Sequence, residues 1–251
     1  YCALKTTALA VIPDSVSFAT ASTLPVAALT ALYGLERCPR LLAAPIVVTG
    51  ASGGVGYFAC QLGVLMGARV IAQVRRADHV ELVESTGVER VVVDTHGDAI
   101  AAEGPYRLVL DGLGGPMLGR ILRALAPDGR AVLYGVSAGD STELAVRDLM
   151  YTGSGRIDGF HLYRESEIVS AGSGLARLLH LVETQRLNTL VARTDGWHAV
   201  AEGKTASLPT LAEGGQHPVA IDVIAPDAET DTCWLAADRA RRDACAWPAD
   251  L

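Results

Sequence analysis

The sequence predicts an α/β fold built on a doubly wound parallel sheet, and three observations lead to it. A short β-branched run, Ile46-Val47-Val48-Thr49, enters a glycine-rich turn, Gly50-Ala51-Ser52-Gly53-Gly54-Val55-Gly56, which opens a helical stripe. Strand-like and helix-like segments then alternate as far as residue 134, the pattern of parallel strands joined by crossover helices. Right-handed crossovers would carry the glycine-rich and polar segment ends to one edge of such a sheet.

Taken in order, residues 1–12 are apolar with threonines and end at Pro13-Asp14, which reads as a strand and turn. Residues 24–33 read as a helix, capped by Ser22 or Thr23 with Pro25 in its first turn. Strands are expected at 46–49, 69–74, 90–93, 107–111 and 130–134, and helices at 55–66, 79–86, 98–102 and 117–125. Gly87 and Gly129 read as helix stops. A sixth strand over 155–163 and a helix over 168–186 follow, then strands at 190–192 and 219–224 flanking a short or broken helix from Trp197. Four units are expected: residues 1–32, 33–165, 166–224, and a tail over 225–251 of unassigned role.

The glycine turn has the spacing G-x-G-x-x-G, with Ala51, Gly53 and Gly56 in the three places. The first place needs a small residue for a tight turn. Gly53 lets backbone approach a pyrophosphate, and Gly56 lets helix and strand pack closely. Amides at a helix start attract phosphates. This context, strand then turn then helix, makes a dinucleotide the expected ligand. An acid about 20 residues beyond the glycines would hold the ribose hydroxyl of NAD. That place falls at residues 73–76, which hold no acid but do hold Arg75 and Arg76. Guanidinium forks suit a phosphate dianion, so NADP(H) is the expected cofactor. The other segments expected on the same edge are Asp94, 111–115 and 134–139.

Composition narrows the class. Half of the 251 residues are hydrophobic, enough for a sizeable core, and the formal net charge of −7 argues against a nucleic-acid partner. No uninterrupted apolar run reaches transmembrane length and no signal peptide is visible, so no membrane partner and a cytoplasmic location are expected. The five cysteines are scattered and none forms a C-x-x-C pair, so no metal site is expected. The six histidines, His79 and His96 among them, read as surface or satisfied side chains.

With these motifs in hand, the chain resembles the medium-chain dehydrogenase/reductase superfamily, in its zinc-independent quinone oxidoreductase and enoyl reductase branch. The residues that carry the resemblance are the element Leu24-Pro25-Val26-Ala27-Ala28-Leu29-Thr30-Ala31, the glycine turn, Gly67-Ala68-Arg69-Val70-Ile71-Ala72, Val109-Leu110-Asp111-Gly112-Leu113-Gly114-Gly115 and Gly129-Arg130-Ala131-Val132-Leu133-Tyr134-Gly135. The resemblance implies a Rossmann sheet with remnants of a second, β-rich catalytic domain, most of which is absent from this sequence. It implies that Ser52, Gly53, Gly54 and Val55 hold the pyrophosphate and that Arg75 and Arg76 meet the 2′-phosphate. Leu113 would flank the cofactor, and Tyr134, Gly135 and Val136 would lie on the nicotinamide side with Thr30 near it. Ala28 departs from the glycine common in that element.

The expected function is zinc-independent hydride transfer from NADP(H) to a quinone or an α,β-unsaturated carbonyl, a small-molecule substrate. Catalytic residues are not identifiable. A homodimer through the sixth strand is implied by the resemblance. The alternative is a non-catalytic NADP(H)-binding protein or remnant. A short-chain reductase would need Tyr-x-x-x-Lys after the glycines, whereas Tyr1 and Lys5 precede them. A P-loop would need Gly-Lys-Ser/Thr, which Val55-Gly56-Tyr57 does not supply.

Overall fold

The computed structural model describes residues 4–151, 155–191, 194–196 and 223–225. Strands β1 (Pro45–Val48), β2 (Arg69–Val74), β3 (Arg90–Val93), β4 (Tyr106–Asp111), β5 (Leu125–Leu133) and β6 (Arg156–Gly159) form one sheet. Its order is β3-β2-β1-β4-β5-β6 and every pairing is parallel. This is the Rossmann order expected, and the chain reverses direction across the sheet between β1 and β4.

The strands are apolar because both faces are covered. Along β1, Ile46 and Val48 face one cluster while Val47 faces the other, and all three are fully buried. On the first face lie α2 (Leu29–Glu36), α3 (Gly54–Leu65) and α9 (Ala171–Glu183), through Leu32, Leu62 and Leu178. On the second lie α5 (Asp98–Ala102) and α6 (Gly115–Ile121), through Ile100, Met117 and Ile121. Fully burying each Val, Leu or Ile contributes on the order of 1.5–3 kcal/mol. That burial fixes the register, which in turn fixes the strand ends.

The helix before the sheet starts earlier than its proline suggests. Ser17 caps α1 (Phe18–Ser22) by accepting the Thr20 amide at 3.1 Å. Thr23 caps nothing; its hydroxyl donates back to the Thr20 carbonyl at 2.7 Å. Pro25 sits in a π-helical stretch, Leu24–Ala28, which absorbs the missing amide between α1 and α2. Phe18–Glu36 is therefore one apolar helical run of 19 residues, long enough to span a bilayer, although the sequence shows no uninterrupted apolar run of that length. The protein buries 61% of its most apolar 18-residue window, as it does a core helix.

Other expectations are corrected at their ends. Among the described residues 4–12 there is no strand: Thr6–Ala8 is a 3₁₀ turn, with Leu9 and Val11 exposed beyond it. The segment docks on α9, where the Ser170 hydroxyl donates to the Thr7 carbonyl at 2.8 Å. The expected helix at 79–86 is a 3₁₀ turn, Ala77–His79, leading into α4 (Val80–Glu84). Gly87 ends it in the left-handed region at φ 81°. Gly129 is no helix stop, because α6 ends at Ile121 and Gly129 lies within β5. The sixth strand ends at Gly159 and α8 (Leu162–Ile168) begins before the segment expected as strand is complete. A short helix, α7 (Val146–Tyr151), precedes β6. Strands β7 (Thr194–Gly196) and β8 (Val223–Ala225) pair in parallel, a few residues beyond the expected 190–192 and overlapping 219–224. The helix expected from Trp197 and the tail beyond 225 lie outside the described residues.

Candidate functional site

The carboxyl ends of β1, β2, β4 and β5 converge on a cleft of about 320 Å³. Gly50, Ser52 and Gly53 form one wall, where β1 turns into α3. Leu113, Pro116, Met117, Ser137 and Ala138 form the other, contributed by the chain leaving β4 and β5. Arg75 and His79, following β2, line the third side, together with Thr95 and His96, following β3, and Arg120 on α6.

The glycine turn is built as its spacing requires. Gly50 has φ 59°, a left-handed conformation that favours glycine. At Gly56 a Cβ would lie 2.4 Å from the Gly50 carbonyl oxygen, so only glycine allows α3 to close on the turn. Gly53 is the residue before α3, extended at φ −77° and ψ 166°. The first amides of α3 therefore lack intrahelical acceptors and point out of its amino end toward the cleft.

Gln73 fixes that turn against its neighbour. Its Oε1 accepts the Gly50 amide at 2.9 Å and its Nε2 donates to the Asp94 carbonyl oxygen at 2.5 Å. Asp94 then organises the turn after β3. One carboxylate oxygen accepts the amides of His96 and Gly97 at 2.8 and 2.9 Å, and the other accepts Ile100 at 2.9 Å. Burial alone would push this carboxyl up, but the backbone donors outweigh it and hold Asp94 below the usual carboxylate value. Asp94 stays ionised on these amides and does not itself line the cleft.

Asp111, at the end of β4, is fully buried and behaves oppositely. It accepts the Thr49 hydroxyl at 2.6 Å and the Gly114 amide at 2.7 Å, yet burial dominates and raises its pKa. These bonds tie the β4 exit to the β1 exit. The Ser137 amide and hydroxyl both donate to the Gly112 carbonyl, at 3.2 and 3.0 Å, bringing the β5 exit to the same wall.

The structure brings together Ser52, Gly53, Arg75 and Leu113 among the residues expected at a cofactor. Gly54 and Val55 open α3 directly behind them. Arg76 does not line the cleft; its exposed guanidinium forms a two-pronged ion pair with Asp78. Thr30 is buried in α2 and does not line the cleft either. The Tyr134 ring lies against Gly112, where a Cβ would come within 2.6 Å of it, and burial with Asp111 and Cys60 nearby raises the hydroxyl's pKa. Gly135 is pressed on the Gly112 backbone, and Val136 is exposed outside the cleft.

Sequence reasoning missed Gln73, His79, His96 and Arg120. Thr95 and His96 follow β3 after Asp94, so the strand-end rule could have found His96. Arg120 has no linear signal. It reaches the cleft because its Nη1 donates to the His96 carbonyl at 2.6 Å, while its Nε stands 3.4 Å from Asp98.

The comparisons agree with this geometry. Residues 54–176 match the family profile described as zinc-binding dehydrogenase. The chain is thus similar to the medium-chain dehydrogenase/reductase superfamily, with quinone oxidoreductases and alkenal/one reductases among its relatives. The spectinabilin polyketide synthase system protein NorB of Streptomyces orinoci is 33% identical over 200 residues, covering 74% of this chain and 9% of that protein. The chloroplastic NADPH-dependent alkenal/one oxidoreductase of Arabidopsis thaliana is 30% identical over 133 residues, covering 53% of this chain and 34% of the relative. A mycobacterial structure solved with NADPH superposes at a TM-score of 0.67 and 22% identity, over 76% of this chain and 62% of that one. This chain thus spans about a third or less of the length of the two curated relatives. Among the described residues no three His, Cys, Asp or Glu side chains gather as a metal site would require.

Proposed function

We propose that this chain is the NADP(H)-binding part of an oxidoreductase that delivers hydride to an α,β-unsaturated carbonyl or a quinone. The observation that carries the reading is Arg75, lining the cleft beyond β2 where an NAD site would present an acid. The Arabidopsis relative supports it, being described by its cofactor, NADPH, and its substrate class, alkenals and alkenones.

The residues fit such a cofactor. The α3 amides and Gly53 would take the pyrophosphate, and Arg75 the 2′-phosphate, with His79, His96 and Arg120 adding donors on that side. Leu113, Met117 and Ala138 give the opposite wall apolar surface. Residues 33–165 form the cofactor unit, with 1–32 and 166–224 serving the substrate side. The cofactor supplies the hydride when bound. The chain's own task is to hold it in one orientation, with a polarised carbonyl compound within about 3–3.5 Å.

The test uses NADPH deuterated at C4, with an enone and a quinone as acceptors. Saturable transfer of deuterium to the enone β-carbon, or reduction of the quinone, supports the reading. Tight NADPH binding with no transfer to either acceptor supports the non-catalytic alternative instead.

A further inference from the structure

A second cavity lies at the opposite, amino edge of the sheet. It has about 190 Å³ and is lined by Cys38, Pro39, Arg107, Asp128, Arg130 and Arg156. Three guanidinium groups thus face one carboxylate, in a chain whose formal net charge is −7.

The arrangement is unfavourable as it stands. Arg130 and Arg156 are direct partners in the β5–β6 pairing, and Leu108, next to Arg107, is the partner of Arg130 on the other side. Like charges directly opposite on neighbouring strands repel. The strand pairing is set by the buried rows around it, so the backbone holds these arginines side by side. Asp158 offsets part of the charge, standing 3.3 Å from the Arg130 Nε. Among the described residues no carboxylate forms an ion pair with Arg107 or Arg156. Arg107 spends its Nη1 on the Asp128 carbonyl oxygen at 2.5 Å, and Arg130 spends one nitrogen on the Arg37 carbonyl. Each guanidinium carries five N–H donors, so most of the donor set stays available.

We propose that this cavity binds a phosphate group, free or as a small monoester, at the edge of the sheet remote from the cofactor cleft. A tetrahedral dianion would accept donors from Arg107, Arg130 and Arg156 and relieve their mutual repulsion. The volume of about 190 Å³ suits a phosphate with a small substituent. Cys38, whose sulfur lies 3.7 Å from the Arg107 carbonyl oxygen, forms the floor.

The experiment titrates inorganic phosphate, and separately methyl phosphate, into the full chain at constant ionic strength with NADPH saturating. Binding is followed by melting temperature and by calorimetry. Saturable binding of either anion is expected, and tighter binding of the monoester would identify the esterified group as the better ligand. Arg156→Gln, an exposed substitution, should weaken either anion about tenfold or more, and Arg156→Glu should abolish binding. NADPH affinity should stay unchanged in both variants. Phosphate binding that survives both substitutions, or that never saturates, overturns the proposal. If NADPH itself fails to bind, loss of phosphate binding in Arg75→Ala rather than in Arg156→Gln would place the anion in the other cleft.

Discussion

The side-chain carbonyl of Gln73 accepts the backbone amide of Gly50 at 2.9 Å, so the end of β2 holds the glycine turn that ends β1. The same amide group reaches the Asp94 carbonyl at 2.5 Å, and Gln73 is only 1% exposed. Gln73→Leu would strand the half-buried Gly50 amide and the buried Asp94 carbonyl, and an unsatisfied buried group costs about 1–3 kcal/mol. The melting temperature should fall, and NADPH and NADH should weaken by the same factor. Selective loss of one cofactor would show that Gln73 touches the nucleotide itself.

Arg75 and Arg76 should separate cleanly. Removing a charge-assisted phosphate contact costs about 1.5–3 kcal/mol, or roughly ten- to a hundredfold in affinity. Arg75→Ala should cost NADPH that much and leave NADH nearly unaffected. Arg76→Ala removes only an exposed, solvent-screened pair with Asp78, and should change neither. Fluorescence titration with both cofactors checks this, and equal losses in the two variants would contradict it.

Gly56→Ala should be costly despite its small size. The added carbon would lie 2.4 Å from the Gly50 oxygen and 2.7 Å from the Ala51 Cα, both backbone atoms. Overpacking of this kind costs about 1–3 kcal/mol or more. Denaturant unfolding should show that loss together with weakened cofactor binding. Unchanged stability would mean that α3 can retreat from the turn.

Asp94 should govern part of the acid limb of stability. Its pKa in the fold is depressed below the ordinary 3.8 by the backbone amides it accepts. Its contribution is therefore present above pH 3.8 and lost as pH falls through the depressed value. Asp94→Asn should lower stability at neutral pH, flatten the acid limb and converge with the parent at low pH. Urea melts from pH 7 downward read this directly, and parallel curves would refute it.

The fold was legible where one local rule suffices. Ile46, Val47 and Val48 face two cores, so their continuous apolar run already reads as a buried parallel strand. The glycine turn was legible because each of its positions has its own steric demand. The start of α1 was missed because Pro25 marks a first turn in most helices, whereas here a π stretch absorbs it and Ser17 provides the cap. Residues 4–12 mislead because apolar residues suggest a strand even when no strand lies alongside. In the site, Arg75 and Arg76 are indistinguishable by sequence. Only the Asp78 fork separates them, and only folding across 23 residues brings Gln73 to Gly50.

The most direct test of the account is NADPH binding by Gly53→Val, with the fold followed by circular dichroism. Gly53 lines the cleft with extended backbone that valine can adopt, so the branched side chain should occupy the pyrophosphate path and leave the sheet intact. The account predicts that the parent chain binds NADPH more tightly than NADH, and that the variant keeps its spectrum and loses both. A folded variant that binds NADPH as the parent does would contradict it.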